Sequence, residues 1–259
     1  MRTTHKSDIV MRKLFVLFYF VSLAIGAFSQ IDTTAIFQKA DSLIGLGNNQ
    51  FRNLKYSQAY EIYDRVVEMT KDINEGNNIR HATALNNIGL ILFNIGSYNG
   101  AVEYFIECAE IQKKVLGTEN PKYASTLNNI GSMYYKIGDY KNALDILFEA
   151  MEIRKKILGE ENDEYASSLN NIGITYNDMG DYPNALKYKL EAYKILKKIH
   201  EEEQPQFAQT LNNIAVTYKH MGDYQNALKY QKQAVEILKN TLGEEHPVCI
   251  GYKYHQHYI

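Results

Sequence analysis

Four asparagine pairs recur along the chain: Asn86-Asn87, Asn128-Asn129, Asn170-Asn171 and Asn212-Asn213, each inside a Leu-Asn-Asn-Ile run and each 42 residues from the last. A carboxamide offers both a donor and an acceptor, the two groups that a peptide backbone also presents. Such a pair also has a purely structural use: one amide bonds a neighbouring element while the other stays exposed, since buried polar groups find partners. Other chemistry is sparse. The chain carries no phosphate loop, no Gly-x-Ser-x-Gly and no Cys-x-x-Cys. No histidine has a catalytic partner by spacing. His255-x-His257, beside Tyr254 and Tyr258, is a weak metal signal and reads as a frayed tail. Neither a cofactor nor a metal is expected, and an enzyme is not, because no site for one is visible.

The elements that carry the asparagines follow from the same period. Gly96, Gly138, Gly180 and Gly222 keep the 42-residue step, as do Tyr98, Tyr140, Tyr182 and Tyr224, then Ala101, Ala143, Ala185 and Ala227. A period of this size marks a stacked repeat array. In the third unit, Tyr123 to Gly159, Leu127, Ile130, Met133/Tyr134 and Ile137 fall at helical spacing. Gly138-Asp139 breaks that helix, because glycine ends helices and aspartate suits the start of the next. Ala143, Ile146, Leu147, Ala150 and Ile153 then resume the period up to Leu158-Gly159. Each unit is therefore expected to be an antiparallel helix pair. Gly131 and Ala143 are expected at its closest approach, where larger side chains would push the helices apart. Pro121, Pro205 and Pro247 stand where first helices begin, and Pro183 where a second one does, at positions that need no backbone donor. The leading copy is degenerate: Leu43, Tyr56 and Ala59 keep the pattern, but Ile44-Gly45 replaces the double asparagine and Leu54 replaces the glycine. The expected organisation is a divergent first repeat over 32–78, four regular repeats over 79–243, and an incomplete repeat or tail over 244–259.

Met11-Arg12-Lys13 precedes the apolar run Leu14–Phe28, with small residues at Ala27 and Ser29, which reads as a secretory signal over residues 1–29 with Met11 as the better start. Cleavage after Ser29 would leave Gln30 first; left uncleaved, Leu14–Phe28 would anchor the chain to a membrane, although the run is short for a span of ~20 residues. The expected location is thus periplasmic or secreted. Only Cys108 and Cys249 are present. Cys108 stands where Ala150, Ala192 and Ala234 do, and reads as a small buried residue. The net charge of −2, from 28 basic and 30 acidic residues, gives no basic excess for nucleic acid. The runs Gln112-Lys-Lys, Arg154-Lys-Lys and Leu196-Lys-Lys fall in last helical turns, where cations complement the helix dipole on a solvated convex face.

Ile88-Gly89 with Leu92, Ala101, Phe105 and Cys108 resembles the tetratricopeptide signature of a Leu-Gly pair, a later aromatic, then Ala, an aromatic and Ala. Ile130-Gly131 with Tyr134, Ile172-Gly173 with Tyr176, and Ile214-Ala215 with Tyr218 repeat it. The 42-residue period, Ser-Thr-Leu-Asn-Asn-Ile, Ile-Gly-Asp-Tyr and Leu-Gly-Glu-Glu are similar to the kinesin-light-chain-like variety. The resemblance implies an all-α, right-handed superhelical array (α-solenoid) of antiparallel helix pairs, whose first helices line a concave groove. It places in that groove Asn86, Leu90, Phe93 and Asn94; Asn128, Ser132, Tyr135 and Lys136; Asn170, Ile174, Asn177 and Asp178; and Asn212, Val216, Lys219 and His220. In related repeats such asparagines contact the backbone of extended peptide cargo. The lysine- and asparagine-based carboxylate clamp of chaperone-binding members looks absent, since Leu90, Ser132, Ile174 and Val216 hold those positions.

The function expected from this reading is a non-enzymatic scaffold that binds a protein or extended peptide segment. Backbone bonds would go to Asn128, Asn170 and Asn212, with apolar anchors against Leu90, Ile174 and Val216. The alternative is a sensory or regulatory input module of a membrane signalling system, truncated from a longer protein. Open repeat ends would also permit self-association.

Overall fold

The computed structural model describes residues 33–73, 78–200 and 205–244, together with His246, Pro247, Cys249 and Gly251. The leader with Leu14–Phe28, and Tyr254, His255, His257 and Tyr258, lie outside the described residues. Ten helices occur among them: α1 over 33–52, α2 Tyr56–Thr70, α3 Ile79–Asn94, α4 Tyr98–Leu116, α5 Pro121–Ile137, α6 Tyr140–Leu158, α7 Asp163–Asp178, α8 Tyr182–Ile199, α9 Pro205–His220 and α10 Tyr224–Leu242. No strand occurs among the described residues. None of the described helices is long and apolar enough to cross a membrane. The fold is an all-α solenoid of helix pairs, and it divides into two compact units, up to Ile88 and from Gly89 onward.

Helix ends follow the residues that mark them. Gly138 takes φ +88°, and its N–H and that of Asp139 return to the carbonyls of Tyr135 and Tyr134. The next helix then starts with a two-bond cap on one carboxylate. One Asp139 carboxylate oxygen accepts from the Asn142 backbone N–H at 3.2 Å, and the other accepts from the Asn142 side chain at 2.6 Å. Asp181–Asn184 and Asp223–Asn226 repeat the arrangement. Ser97, the equivalent residue before α4, makes no side-chain cap.

In the first unit Tyr63 of α2 lies fully buried over Gly47 of α1, where an added Cβ would meet the Tyr63 ring at 2.5 Å. The Tyr63 hydroxyl donates to Asn48 Oδ1 at 2.6 Å, and Asn87 Nδ2 donates to the same oxygen at 3.2 Å. Burial raises the Tyr63 phenol to about 12.

In the second unit each helix packs on its sequence neighbours, and α7 also touches α5 and α9. Phe105, Leu147, Lys189 and Gln231 stand 42 residues apart at one core position of the second helices, all buried. Three of them cross glycines: a Cβ on Gly89, Gly131 or Gly173 would meet Phe105, Leu147 or Lys189 at 2.8, 2.6 or 2.7 Å. The Gly131 Cβ would also lie 3.2 Å from the Ala143 carbonyl, so Gly131 and Ala143 do mark a close approach of α5 and α6. Cys108 and Cys249 are buried thiols, neither in a disulfide. Cys249, in helical backbone, packs among Ala208, Leu211, Ala234, Val235 and Leu238. It occupies the register of Tyr123, Tyr165 and Phe207, so it sits where the first turn of a further helix would.

The basic run at Arg154 departs from the solvated convex face. Lys155 and Lys156 are exposed, but Arg154 is 5% exposed and so is Gln112. The Arg154 guanidinium donates to the Glu164 carbonyl at 3.0 Å, to Ser168 Oγ at 2.8 Å and to Ser125 Oγ at 3.4 Å. Its long stem and fork let one side chain tie α6 to α5 and α7, which a lysine could not do with the same geometry.

Candidate functional site

The first helices α5, α7 and α9 lie side by side, and the second asparagine of each pair turns back onto the first asparagine of the preceding repeat. Asn171 Nδ2 donates to Asn128 Oδ1 at 3.0 Å, and Asn213 Nδ2 donates to Asn170 Oδ1 at 3.2 Å. The pair is therefore split by role. The second member is the inter-repeat tie. The first member, Asn128 or Asn170, accepts this bond on its side-chain oxygen, and its NH2 hydrogens take no part in it. Asn212 is half-buried at the same register. Asn86 belongs to the first unit, where its Nδ2 faces Asn87 Oδ1 at 3.4 Å.

Beside this row lies a cavity of about 420 Å³. Phe93, Ser132, Tyr135, Lys136 and Ile174, all expected in the groove, line it together with Leu147, Asn171, Thr175 and Gln209. Its wall thus mixes four apolar or aromatic side chains with five polar ones. Ser132 Oγ donates to the Asn128 carbonyl at 2.8 Å and is spent on its own helix. Asn94 likewise donates to the Leu90 carbonyl at 2.7 Å. Leu90, Phe93 and Val216 are half-buried.

Two of the residues expected in the groove have their polar groups engaged with neighbouring side chains. Tyr135 presents its ring, with Lys136 Nζ 5.4 Å from the ring centre, but not a free hydroxyl: that hydroxyl donates to Asp178 Oδ2 at 2.6 Å. Burial first, then the hydrogen bond and charge of Asp178, raise the Tyr135 phenol well above its ordinary range. Asn177, expected on the groove surface, is only 6% exposed. Its Nδ2 donates to Asp178 Oδ1 at 3.1 Å and lies 3.3 Å from His220 Nδ1, while its Oδ1 accepts from Thr217 at 3.0 Å. His220 itself is exposed, its ring 5.4 Å from that of Tyr182. Lys219 is half-buried.

Beneath these groups lies a residue the groove pattern omitted. Lys189, 2% exposed, donates from Nζ to Thr217 Oγ1 at 2.8 Å and to the Asn213 carbonyl at 3.2 Å. Burial pushes its ammonium down to about 8, with the Asp178 charge opposing the shift. Its signal was present in the sequence as a lysine in the register of Phe105 and Leu147. Asn171 was equally visible as the second member of its pair, but its direction was not.

A tetratricopeptide repeat model matches residues 80–156 and 126–198, and a second tetratricopeptide repeat model matches 207–248. No curated protein sequence matches the chain. Among solved structures, BtubC (BKLC) from P. vanneervenii is 20% identical with a TM-score of 0.69, the match covering 80% of this chain and 82% of that one. Kinesin-light-chain-type, nearly identical TPR-like repeats from Podosopora anserina are also 20% identical, TM-score 0.69, covering 79% and 96%. The apo form of RapI is 18% identical, TM-score 0.68, covering 80% and 73%. At these identities the likeness concerns the fold alone. With its 42-residue helix pairs, its Ile-Gly and Ala contact positions and matches through most of its length, the chain belongs to the tetratricopeptide repeat family.

Proposed function

We propose that the chain is a non-enzymatic scaffold that binds an extended protein segment along the inner faces of α5, α7 and α9. The observation that carries this reading is the asparagine row. Each Asn128 and Asn170 oxygen is committed to the next repeat by a bond in which its NH2 hydrogens take no part, and in this reading those hydrogens donate to a ligand carbonyl. Carbonyl recognition of this kind is independent of side-chain sequence, and the cavity beside Ile174 and Phe93 supplies room for one apolar anchor. Tetratricopeptide repeats in general mediate protein–protein contacts and are non-catalytic, which agrees with this use. Export through Leu14–Phe28 is part of the same proposal and rests on sequence alone.

The experiment is affinity capture from extracts of the native cell envelope by the immobilised chain, beside a variant carrying Asn128→Asp, Asn170→Asp and Asn212→Asp. Aspartate keeps the oxygen that Asn171 and Asn213 need but removes the ligand-facing donor. A partner retained by the wild type and lost by the variant supports the groove. Equal capture by both would move the interaction to another face and overturn it.

A further inference from the structure

Lys189 is the one member of its register that brings a formal charge into the core, since Phe105, Leu147 and Gln231 occupy the equivalent places. It does not stand alone. Its Nζ meets Thr217, Thr217 meets Asn177, and Asn177 meets Asp178 and the His220 ring, with Tyr135 closing on the far oxygen of Asp178. This chain of contacts runs from the core of α8 to the groove face of α5, α7 and α9.

The proton inventory gives the chain a direction. An ammonium has three donors and no acceptor, and a threonine hydroxyl has one hydrogen. While Lys189 donates to Thr217 Oγ1, the Thr217 hydrogen must point elsewhere, and two acceptors lie 3.0 Å away: the Asn213 carbonyl and Asn177 Oδ1. That carbonyl already accepts from Lys189 Nζ at 3.2 Å, which favours Asn177 Oδ1 as the acceptor. Asn177 then has its oxygen filled and both amide hydrogens directed at Asp178 and His220. A neutral amine has a lone pair, so the Thr217 hydrogen could turn back to it, and Asn177 Oδ1 would lose its donor.

We propose that Lys189 is a proton-linked positioning residue for the groove: its ammonium directs the Thr217 hydroxyl onto Asn177, and loss of the proton frees the Asn177 amide to turn. The charged and titratable groups facing this chain are Asp178 on α7, His220 on α9 and, through Asp178, Tyr135 on α5. Of these, Asp178 holds the ammonium charged and burial opposes it. Burial lowers the Lys189 amine while it raises the Tyr135 phenol, so the two separate and the lower step belongs to Lys189. The inference deepens the groove reading by naming a residue that would regulate it, but its test needs no partner.

The test follows the side-chain amide resonances of Asn177 and Asn213 by NMR in the full chain from pH 7.5 to 9.5. The Lys189 side-chain carbon shift is recorded as the internal titration. Lys189→Met and Lys189→Gln, the latter copying residue 231, are measured alongside. The expected result is an Asn177 amide shift whose midpoint tracks that of Lys189, near 8, and that is lost in both variants. A Lys189 titration that leaves Asn177 unmoved would overturn the proposal. So would the same Asn177 shift surviving in either variant, or no titration of Lys189 within the range.

Discussion

Asn171 donates its side-chain amide to the Asn128 side-chain oxygen at 3.0 Å, across 43 residues of chain. Both residues are half-buried, so removing the donor leaves an oxygen with little water to replace it. Asn171→Ala is expected to lower stability by about 0.5–1.5 kcal/mol. Asn128→Asp, which preserves the acceptor, is expected to cost less. Urea melts of the two variants beside the wild type would test the order, and a larger loss for Asn128→Asp would show that the bond carries nothing.

Lys189 makes a prediction about pH. The fold lowers this amine to about 8, so it is the charged form that the folded state disfavours. Lys189 therefore reduces stability fully at neutral pH, and the penalty fades as pH rises through about 8 toward the ordinary value near 10.5. Wild type should gain stability between pH 7 and 9.5 relative to Lys189→Leu, which copies Leu147. At pH 7 the variant should be more stable by roughly 1–3 kcal/mol, as when buried charges give way to packed apolar groups. Thermal melts across that range would check it; a constant difference between the two proteins would contradict the linkage.

Leu54 adopts φ +58° at the position of Gly96, Gly138, Gly180 and Gly222, and is 71% exposed. A left-handed non-glycine residue costs roughly 1–2 kcal/mol, and glycine returns part of that through its freer unfolded chain. Leu54→Gly is expected to stabilise the first repeat by about 0.5–1 kcal/mol. Hydrogen exchange of α1 and α2 amides would register the gain as slower exchange, and faster exchange would refute it.

Ala143 is fully buried, and its carbonyl lies where a Gly131 Cβ would come within 3.2 Å. Ala143→Leu is expected to overpack this contact and cost about 1–3 kcal/mol, read as a lower midpoint in a thermal melt. An unchanged midpoint would mean the two helices can part without loss.

Much of this protein was determined by its sequence alone. Period, helix pairing, glycine stops, aspartate caps and proline starts are local rules repeated every 42 residues, and a solenoid packs mainly between neighbours, so local rules are nearly sufficient. Five of the residues that line the cavity fall in three repeat registers of the first helices: Phe93 with Tyr135, Ser132 with Ile174, and Lys136. Only the tertiary structure decided how the polar groups pair. Hydrogen bonds between Asn171 and Asn128, Tyr135 and Asp178, or Lys189 and Thr217 link different helices, and their existence depends on directions and distances of a few ångströms that periodicity does not encode. The same holds for Arg154: a last-turn cation reads as solvated until the neighbouring helices α5 and α7 close over it.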